Sequence, residues 1–235
     1  MSLSVIAACA SIAWLALSVR SKLEQGPAPG KTITRRPTPP HELPRTTLPL
    51  GDAATLGDVG AKVGMVVYSD FYCPFCARFA KDTMPEIVKR YVNSGKVLLA
   101  FRHLPLEAFH PAAKKAAEFA ECGRRQGQFW PIHDILFAVP SAATPLVPSM
   151  FEQVPGLNTA GFRECVGGQA TAAIEREIRI AQELGVSGTP TFFLGKLNDK
   201  RELVVNRRES GAMPIEAFSA ALDQLLADGS TSALK

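Results

Sequence analysis

No long run of like charge interrupts this 235-residue sequence. Its 26 lysines and arginines against 22 aspartates and glutamates leave a formal charge of +4, and apart from pairs such as Arg35-Arg36, Arg124-Arg125 and Arg207-Arg208 the basic residues are scattered. That dispersal excludes the basic stripe of a nucleic-acid-binding protein. Internal repeats are absent as well. Histidine is scarce, and His103, His110 and His133 are dispersed, while Cys122 has no cysteine or histidine near it in sequence. The further ligands that would turn a Cys-x-x-Cys into a zinc site are therefore missing. The chain is not short of apolar residues: 46% hydrophobic against 20% charged is enough for one sizeable core with a subdomain added to it.

Cysteine occurs only at positions 9, 73, 76, 122 and 165. Cys9 lies in an apolar N-terminal segment, so four remain for the soluble part, and four allow three pairings. The stretch Cys73-Pro74-Phe75-Cys76 stands between the apolar run Gly64-Met65-Val66-Val67-Tyr68 and a helical pattern that starts at Ala77. Two thiols at that spacing, at the start of a helix, close and reopen a small disulfide ring. The unpaired backbone N–H groups and positive end of the helix favour thiolate at the first sulfur, which makes Cys73 the expected nucleophile and Cys76 the resolving thiol. Cys122 and Cys165 are then left either as a structural disulfide, worth roughly 4 kcal/mol on the chain-entropy estimate, or as two buried thiols.

Residues 1–19 read as a membrane anchor, uncharged from Leu3 to Val19 and, as a helix, slightly short of a bilayer core. A cleaved signal peptide has a basic start and a small-x-small site after the apolar run; here neither is present, and Arg20-Ser21-Lys22 follows. The positive charges after the span argue for a cytoplasmic domain, and the cysteines argue for an oxidising compartment; the extracytoplasmic side is the expectation adopted. Residues 20–54, with prolines at 27, 29, 37, 39, 40, 44 and 49, read as a linker of polyproline character.

Beyond it the pattern is strand, Cys motif and helix, strand, helical block, strand, strand, helix. Val63–Tyr68 and Val97–Arg102 are the first two strands, parallel after a helical crossover, with a kink or break expected at Pro85. Helical segments follow over 111–126, 128–137, 148–153, 159–166 and 170–184. A hairpin pairs 191–194 with 202–205, and a last helix covers 214–227. The divisions are 55–110 for the first α/β part, 111–184 for the helical insertion, 185–228 for the second α/β part and 229–235 for a tail.

Cys73-Pro74-Phe75-Cys76 after a strand, and Gly188-Thr189-Pro190-Thr191-Phe192-Phe193 before another, resemble the two active-site segments of thioredoxin-fold oxidoreductases. The helical block resembles the insertion of the DsbA-like branch. Further matching stretches are Leu56-Gly57-Asp58, Tyr68-Ser69-Asp70-Phe71-Tyr72, Phe101-Arg102-His103-Leu104-Pro105-Leu106, His110-Pro111-Ala112-Ala113, Gln126-Gly127-Gln128-Phe129-Trp130 and His133-Asp134-Ile135-Leu136-Phe137. The resemblance implies an α/β thioredoxin fold with an inserted helical subdomain. It implies a cis Pro190 beside the Cys pair, with Thr189 offering backbone hydrogen bonds to a substrate strand and Pro74 and Phe75 facing the same substrate. It also supports Cys122–Cys165 as a structural disulfide joining two insertion helices. The implied activity is thiol:disulfide exchange with cysteine-containing proteins, unfolded or partly folded. The redox-active disulfide itself serves in place of a cofactor, and a membrane or soluble redox partner resets it. An isomerase would dimerise; no dimerisation segment is apparent, and a monomer is expected.

Two departures qualify the resemblance. The acidic residue that many thioredoxin-fold proteins carry six positions before the first cysteine is Val67 here, leaving proton handling to water or another group; Asp70 is a candidate that also reads as a turn residue. Pro-Phe between the cysteines supplies no imidazole or basic group, so the motif does not state how strongly oxidising it is. His103 and His110 read as capping or loop residues, His133 as a core or boundary residue, and Phe129 and Trp130 as core residues that alternatively line a groove beside the Cys pair. Oxidase, isomerase or reductase, and low-turnover tethered binding module or chaperone are the three readings carried forward.

Overall fold

A computed structural model of the chain describes residues 46–139 and 145–230. Six strands, β1 (Thr47–Pro49), β2 (Ala54–Leu56), β3 (Val63–Ser69), β4 (Val97–His103), β5 (Thr191–Leu197) and β6 (Glu202–Ser210), form one sheet in the order β1-β6-β5-β3-β4-β2. β3 and β4 are parallel, as the crossover requires, and every other pair is antiparallel. β3 is buried along its whole length. Its apolar side chains serve both faces: Val63, Met65 and Val67 join one core, Val66 and Tyr68 the other. A strand at the centre of a sheet covered on both sides needs this near-continuous apolar composition.

The helix that follows the Cys motif, α1, runs over residues 74–92, and at Pro85, where a kink or break is expected, it is irregular and continues. Two π-type turns, Phe79–Thr83 and Val88–Val92, flank the segment Met84–Ile87. Proline cannot donate to the preceding turn, and widening the hydrogen-bond ladder just before it is one way to let the helix continue. The insertion comprises α2 (Ala113–Arg124), α3 (Phe129–Ala138), a 3₁₀ turn at Pro148–Phe151, α4 (Thr159–Glu164), whose end runs into a π-type turn at Cys165–Gln169, and α5 (Thr171–Glu183). The closing helix α6 is Ile215–Ser230, so the expected tail at 229–235 begins inside a helix. Aromatic side chains of α1, α2, α3 and α6 fill one face of the sheet, and Ala181 and Ile178 of α5 pack on the other.

The expected linker boundary at residue 54 is corrected by the two short strands β1 and β2. Leu48 and Leu50 are 2% and 3% exposed, inserted beneath the β6 edge. Arg102 holds this segment by donating to the carbonyls of Pro49 (2.7 Å) and Leu50 (2.6 Å), a contact across half the domain that no local pattern announces. Pro49 is tolerated because β1 is an edge strand. The hairpin is longer than expected, and a bulge at Leu194/Gly195 lets it continue. A Cβ on Gly195 would stand 2.0 Å from the Val204 carbonyl oxygen, so only glycine allows that close approach. Among the described residues no helix is long and apolar enough to cross a membrane; the anchor at 1–19 and the linker to residue 45 lie outside them.

Candidate active site

Cys73 caps α1 with an extended backbone (φ −75°, ψ 121°), and Pro74 occupies the first helical position, where its missing N–H costs nothing. Both cysteines of the motif are thiols and both are buried, Cys76 completely. The Thr189–Pro190 peptide is cis, and the turn it makes brings Thr189 against Cys73 from 116 residues away: the Cys73 thiol donates to the Thr189 carbonyl at 3.4 Å. The Thr189 hydroxyl is buried and meets no acceptor of its own. It lies against the Cys73 sulfur, where donation to a thiolate gives it the partner it otherwise lacks.

These contacts separate the two sulfurs. A hydrogen bond from Cys76 lowers Cys73 most; burial opposes it, and the Thr189 hydroxyl and the backbone N–H groups of Cys76 and Phe75 add to the lowering, from an ordinary 9.0 to about 5. The Cys76 thiol first, and then the Thr189 hydroxyl and the helix N-terminus, thus supply what Pro-Phe cannot. Burial pushes the Cys76 thiol up, and its contact with Cys73 reinforces the rise; the Ser69 hydroxyl and the Asp70 backbone N–H work the other way. Ser69 was not singled out as a sequence candidate. Its only local signal is its place as the last residue of a buried strand, with a polar side chain 3% exposed.

Asp70 is a loop tie in this structure. Its carboxylate, fully buried, accepts from the Tyr72 amide (2.7 Å), the Leu106 amide (2.9 Å) and His110 Nδ1 (2.9 Å), so it clamps the Cys loop to the segment after β4. His110 therefore has the loop role its sequence position suggested. His103 does not: it is buried at the end of β4, and burial, only partly offset by the carboxylate of Glu177, lowers its pKa. Phe129 and Trp130 are packed on the sheet, with the Trp130 indole donating to the Thr55 carbonyl at 2.9 Å, and are not a groove beside the cysteines. On the open side, Pro74 is exposed and Phe75 is half exposed, with the Arg78 guanidinium 5.5 Å above its ring.

Away from the pair, Cys122 of α2 and Cys165, at the start of the π-type turn after α4, form a disulfide (S–S 1.99 Å, Cα–Cα 5.7 Å). It lies in the same packed layer as the rings of Phe119, Phe151 and Phe162.

The sequence model of the family described as Thioredoxin matches residues 50–224. Among solved structures, the chain is similar to Wolbachia pipientis alpha-DsbA1 (24% identity, TM-score 0.66, covering 79% of this chain and 96% of that one). It is similar to oxidised BdbD from Bacillus subtilis (19%, 0.66, 77% and 96%) and to Pseudomonas aeruginosa DsbA2 (28%, 0.59, 78% and 96%). Among curated proteins it is 36% identical over 163 residues to the Na(+)/H(+) antiporter NhaA 3 of Salinispora tropica, a match over 69% of this chain and 23% of that protein. The chain thus spans about a quarter of the length of the curated relatives it matches.

Proposed function

The chain belongs to the thioredoxin family, with the DsbA-like thiol:disulfide oxidoreductases, and from that premise we propose that it oxidises cysteine pairs of extracytoplasmic proteins through a Cys73–Cys76 disulfide. The observation that carries this reading is the placement of the pair, with Cys73 at the N-cap of α1 against the cis Thr189–Pro190 turn and Cys76 fully buried one turn further in. A substrate thiolate attacks Cys73, the Cys73–Cys76 bond breaks and its electron pair leaves on Cys76. A second substrate thiolate then attacks the substrate sulfur of the mixed disulfide, and Cys73 leaves as thiolate. Two electrons pass to the protein, and a disulfide or another two-electron acceptor must remove them for the next turn.

Magnitudes favour departure over attack. At pH 7 a thiol with a pKa of about 5 is ~99% thiolate, against ~1% for one at 9. Nucleophilicity falls with pKa at a Brønsted slope of about 0.4–0.5, which cancels most of that gain, whereas the gain as a leaving group remains. An acidic Cys73 stabilises the reduced form, which is the condition for a strong oxidant. Thr189 and the cis Pro190 would align an extended substrate segment, and Phe75 and Pro74 would meet its side chains. The uncharged segment from Leu3 to Val19 and the proline-rich stretch after it support a single-pass bacterial membrane tether, and the Cys122–Cys165 disulfide suits an oxidising compartment. The domain is read as a monomer. Ion exchange, named for the longer relatives, is no part of this proposal.

The test is the reduction potential, paired with refolding of a reduced multi-disulfide protein. The expected potential is about −200 mV or less negative, with faster recovery of the native substrate; a value near about −270 mV would turn the assignment to a reductase. A normal potential with no effect on refolding would leave a binding module.

The acidity of Cys73 fixes a pH dependence. Cys73 titrates near 5 in the folded reduced protein and near 9 when unfolded, so its contribution is complete above the unfolded value and is lost as pH falls through the folded one. The disulfide form has no such group. Thermal melts should therefore show the stability of the reduced relative to the oxidised protein rising between about pH 5 and about pH 9.

A further inference from the structure

Cys76 must take up a proton when it leaves and give one up when it attacks, yet the position that often carries an acid in this fold is Val67. Behind the sulfur is a narrow crevice with no room for a water molecule, lined by Val67, Ser69, Cys76, Phe101, His133 and Phe137 together with side chains of α1. His133 is the one imidazole in that lining. It is 2% exposed, and its ring meets Phe71 (5.9 Å), Phe101 (5.5 Å) and, on its own helix, Phe137 (4.8 Å), Phe129 and Trp130. Its Nδ1 is 2.9 Å from Oδ1 of Asp134, whose side chain is 75% exposed. A carboxylate there accepts from Nδ1–H and leaves Nε2 as the basic nitrogen. An imidazole thus stands between the sealed crevice and the solvent.

We propose that His133 gives the proton to Cys76 and takes it back, with the Asp134 carboxylate holding Nδ1–H so that Nε2 is the exchanging nitrogen. This rests on the redox reading of Cys73 and Cys76. In the oxidative direction, a substrate thiolate attacks Cys73, the S–S bond breaks onto Cys76, and protonated His133 gives that sulfur its proton, leaving neutral imidazole. Nδ1–H stays hydrogen-bonded to the Asp134 carboxylate, and Nε2 stays without a proton until the pair is reoxidised. When the pair is reoxidised, His133 takes the Cys76 proton and the resulting thiolate displaces the partner's sulfur from Cys73. The transfer is direct between ring and sulfur or passes over the Ser69 hydroxyl, which bonds to Cys76.

The charged and titratable surroundings of the ring are few. α1 presents Cys76, and α3 presents Asp134. From β4, His103 meets the same rings of Phe71, Phe101 and Phe129. β3 presents only Val67 and the Ser69 hydroxyl.

The experiment follows the rate at which a small dithiol reduces the Cys73–Cys76 disulfide, by stopped flow from pH 5 to 9, in wild type, His133→Phe, His133→Gln and Asp134→Asn. His133→Phe keeps an aromatic ring in the cluster, and His133→Gln keeps a polar side chain that does not titrate. Both should be slowed about a hundredfold near pH 7, the usual contribution of a positioned acid or base, and should lose one limb of the pH profile. Asp134→Asn should be slowed less. The thiolate absorbance titration of Cys73 should keep its wild-type midpoint in all of them, which a merely structural disturbance would not allow. Wild-type rates and profiles in both His133 variants would overturn the proposal, as would a loss accompanied by a shifted Cys73 midpoint. A wild-type pair that no dithiol reduces would overturn the oxidoreductase reading and this one with it; a reactive wild type with indifferent variants overturns this one alone.

Discussion

Cys76→Ser, with Cys73 first converted to a mixed disulfide with a small aromatic thiol, is expected to accumulate a covalent complex with a reduced substrate protein as the substrate thiolate displaces that small thiol from Cys73, while Cys73→Ser forms none and its turnover falls to the uncatalysed background. The reason is positional. Cys73 sits at the first turn of α1 with its sulfur on the side of the cis peptide, its pKa lowered to about 5, whereas Cys76 is fully enclosed. A sulfur that no substrate can reach resolves the mixed disulfide or does nothing. With Cys76→Ser the complex has no internal exit and persists until a second thiol from the substrate releases it. Non-reducing electrophoresis after mixing each variant, treated with the disulfide of that small thiol, with the reduced substrate reads the outcome directly. A complex with Cys73→Ser and none with Cys76→Ser would reverse the assignment of nucleophile.

Removing the second cysteine pair should act on stability and leave chemistry in place. The Cys122–Cys165 bond closes a loop of 43 residues. Opening it restores conformational freedom to the unfolded chain worth roughly 4 kcal/mol on the chain-entropy model. For a domain of this size that corresponds to a fall in Tm of about 8–16 °C. The double substitution Cys122→Ala and Cys165→Ala is the cleaner test, because neither partner is left as a lone thiol in a packed layer beside Phe119 and Phe162. Thermal melts should show the fall, and the rate at which Cys73 forms a mixed disulfide at 25 °C should stay near wild type. An unchanged Tm would mean that the insertion is held by its aromatic packing alone.

Part of this arrangement is legible in residues read one after another. The Cys motif, the apolar β3 run before it and the helical pattern after it are local, so their sequence states them. Thr189-Pro190 reads only as a turn until resemblance makes its cis bond an expectation. His103 illustrates a failure: as a polar residue after a strand it reads as a loop group, yet β4 carries it into the core among Phe71, Phe101 and Phe129. Asp70 illustrates an ambiguity that distance resolved. A carboxylate two residues before an amide fits a turn, and only the segment arriving from 36 and 40 residues further on makes it a clamp.

By itself, then, the sequence determined which two sulfurs stand one helical turn apart after a buried strand, how the α/β elements follow one another and where the helical block is inserted, because these depend on spacing, periodicity and turn chemistry within a few residues. The tertiary structure alone decided that β1 belongs to the sheet, that a backbone carbonyl and a hydroxyl from Thr189 meet Cys73, and that a histidine from α3 stands behind Cys76. Each of these joins groups tens of residues apart, and such pairs exist only once burial has closed the intervening chain. That is also why the acidity of Cys73 was not readable from the side chains of Pro74 and Phe75: it comes first from the hydrogen bond of the Cys76 thiol, then from the Thr189 hydroxyl that the fold delivers and from the backbone N–H groups of the first turn.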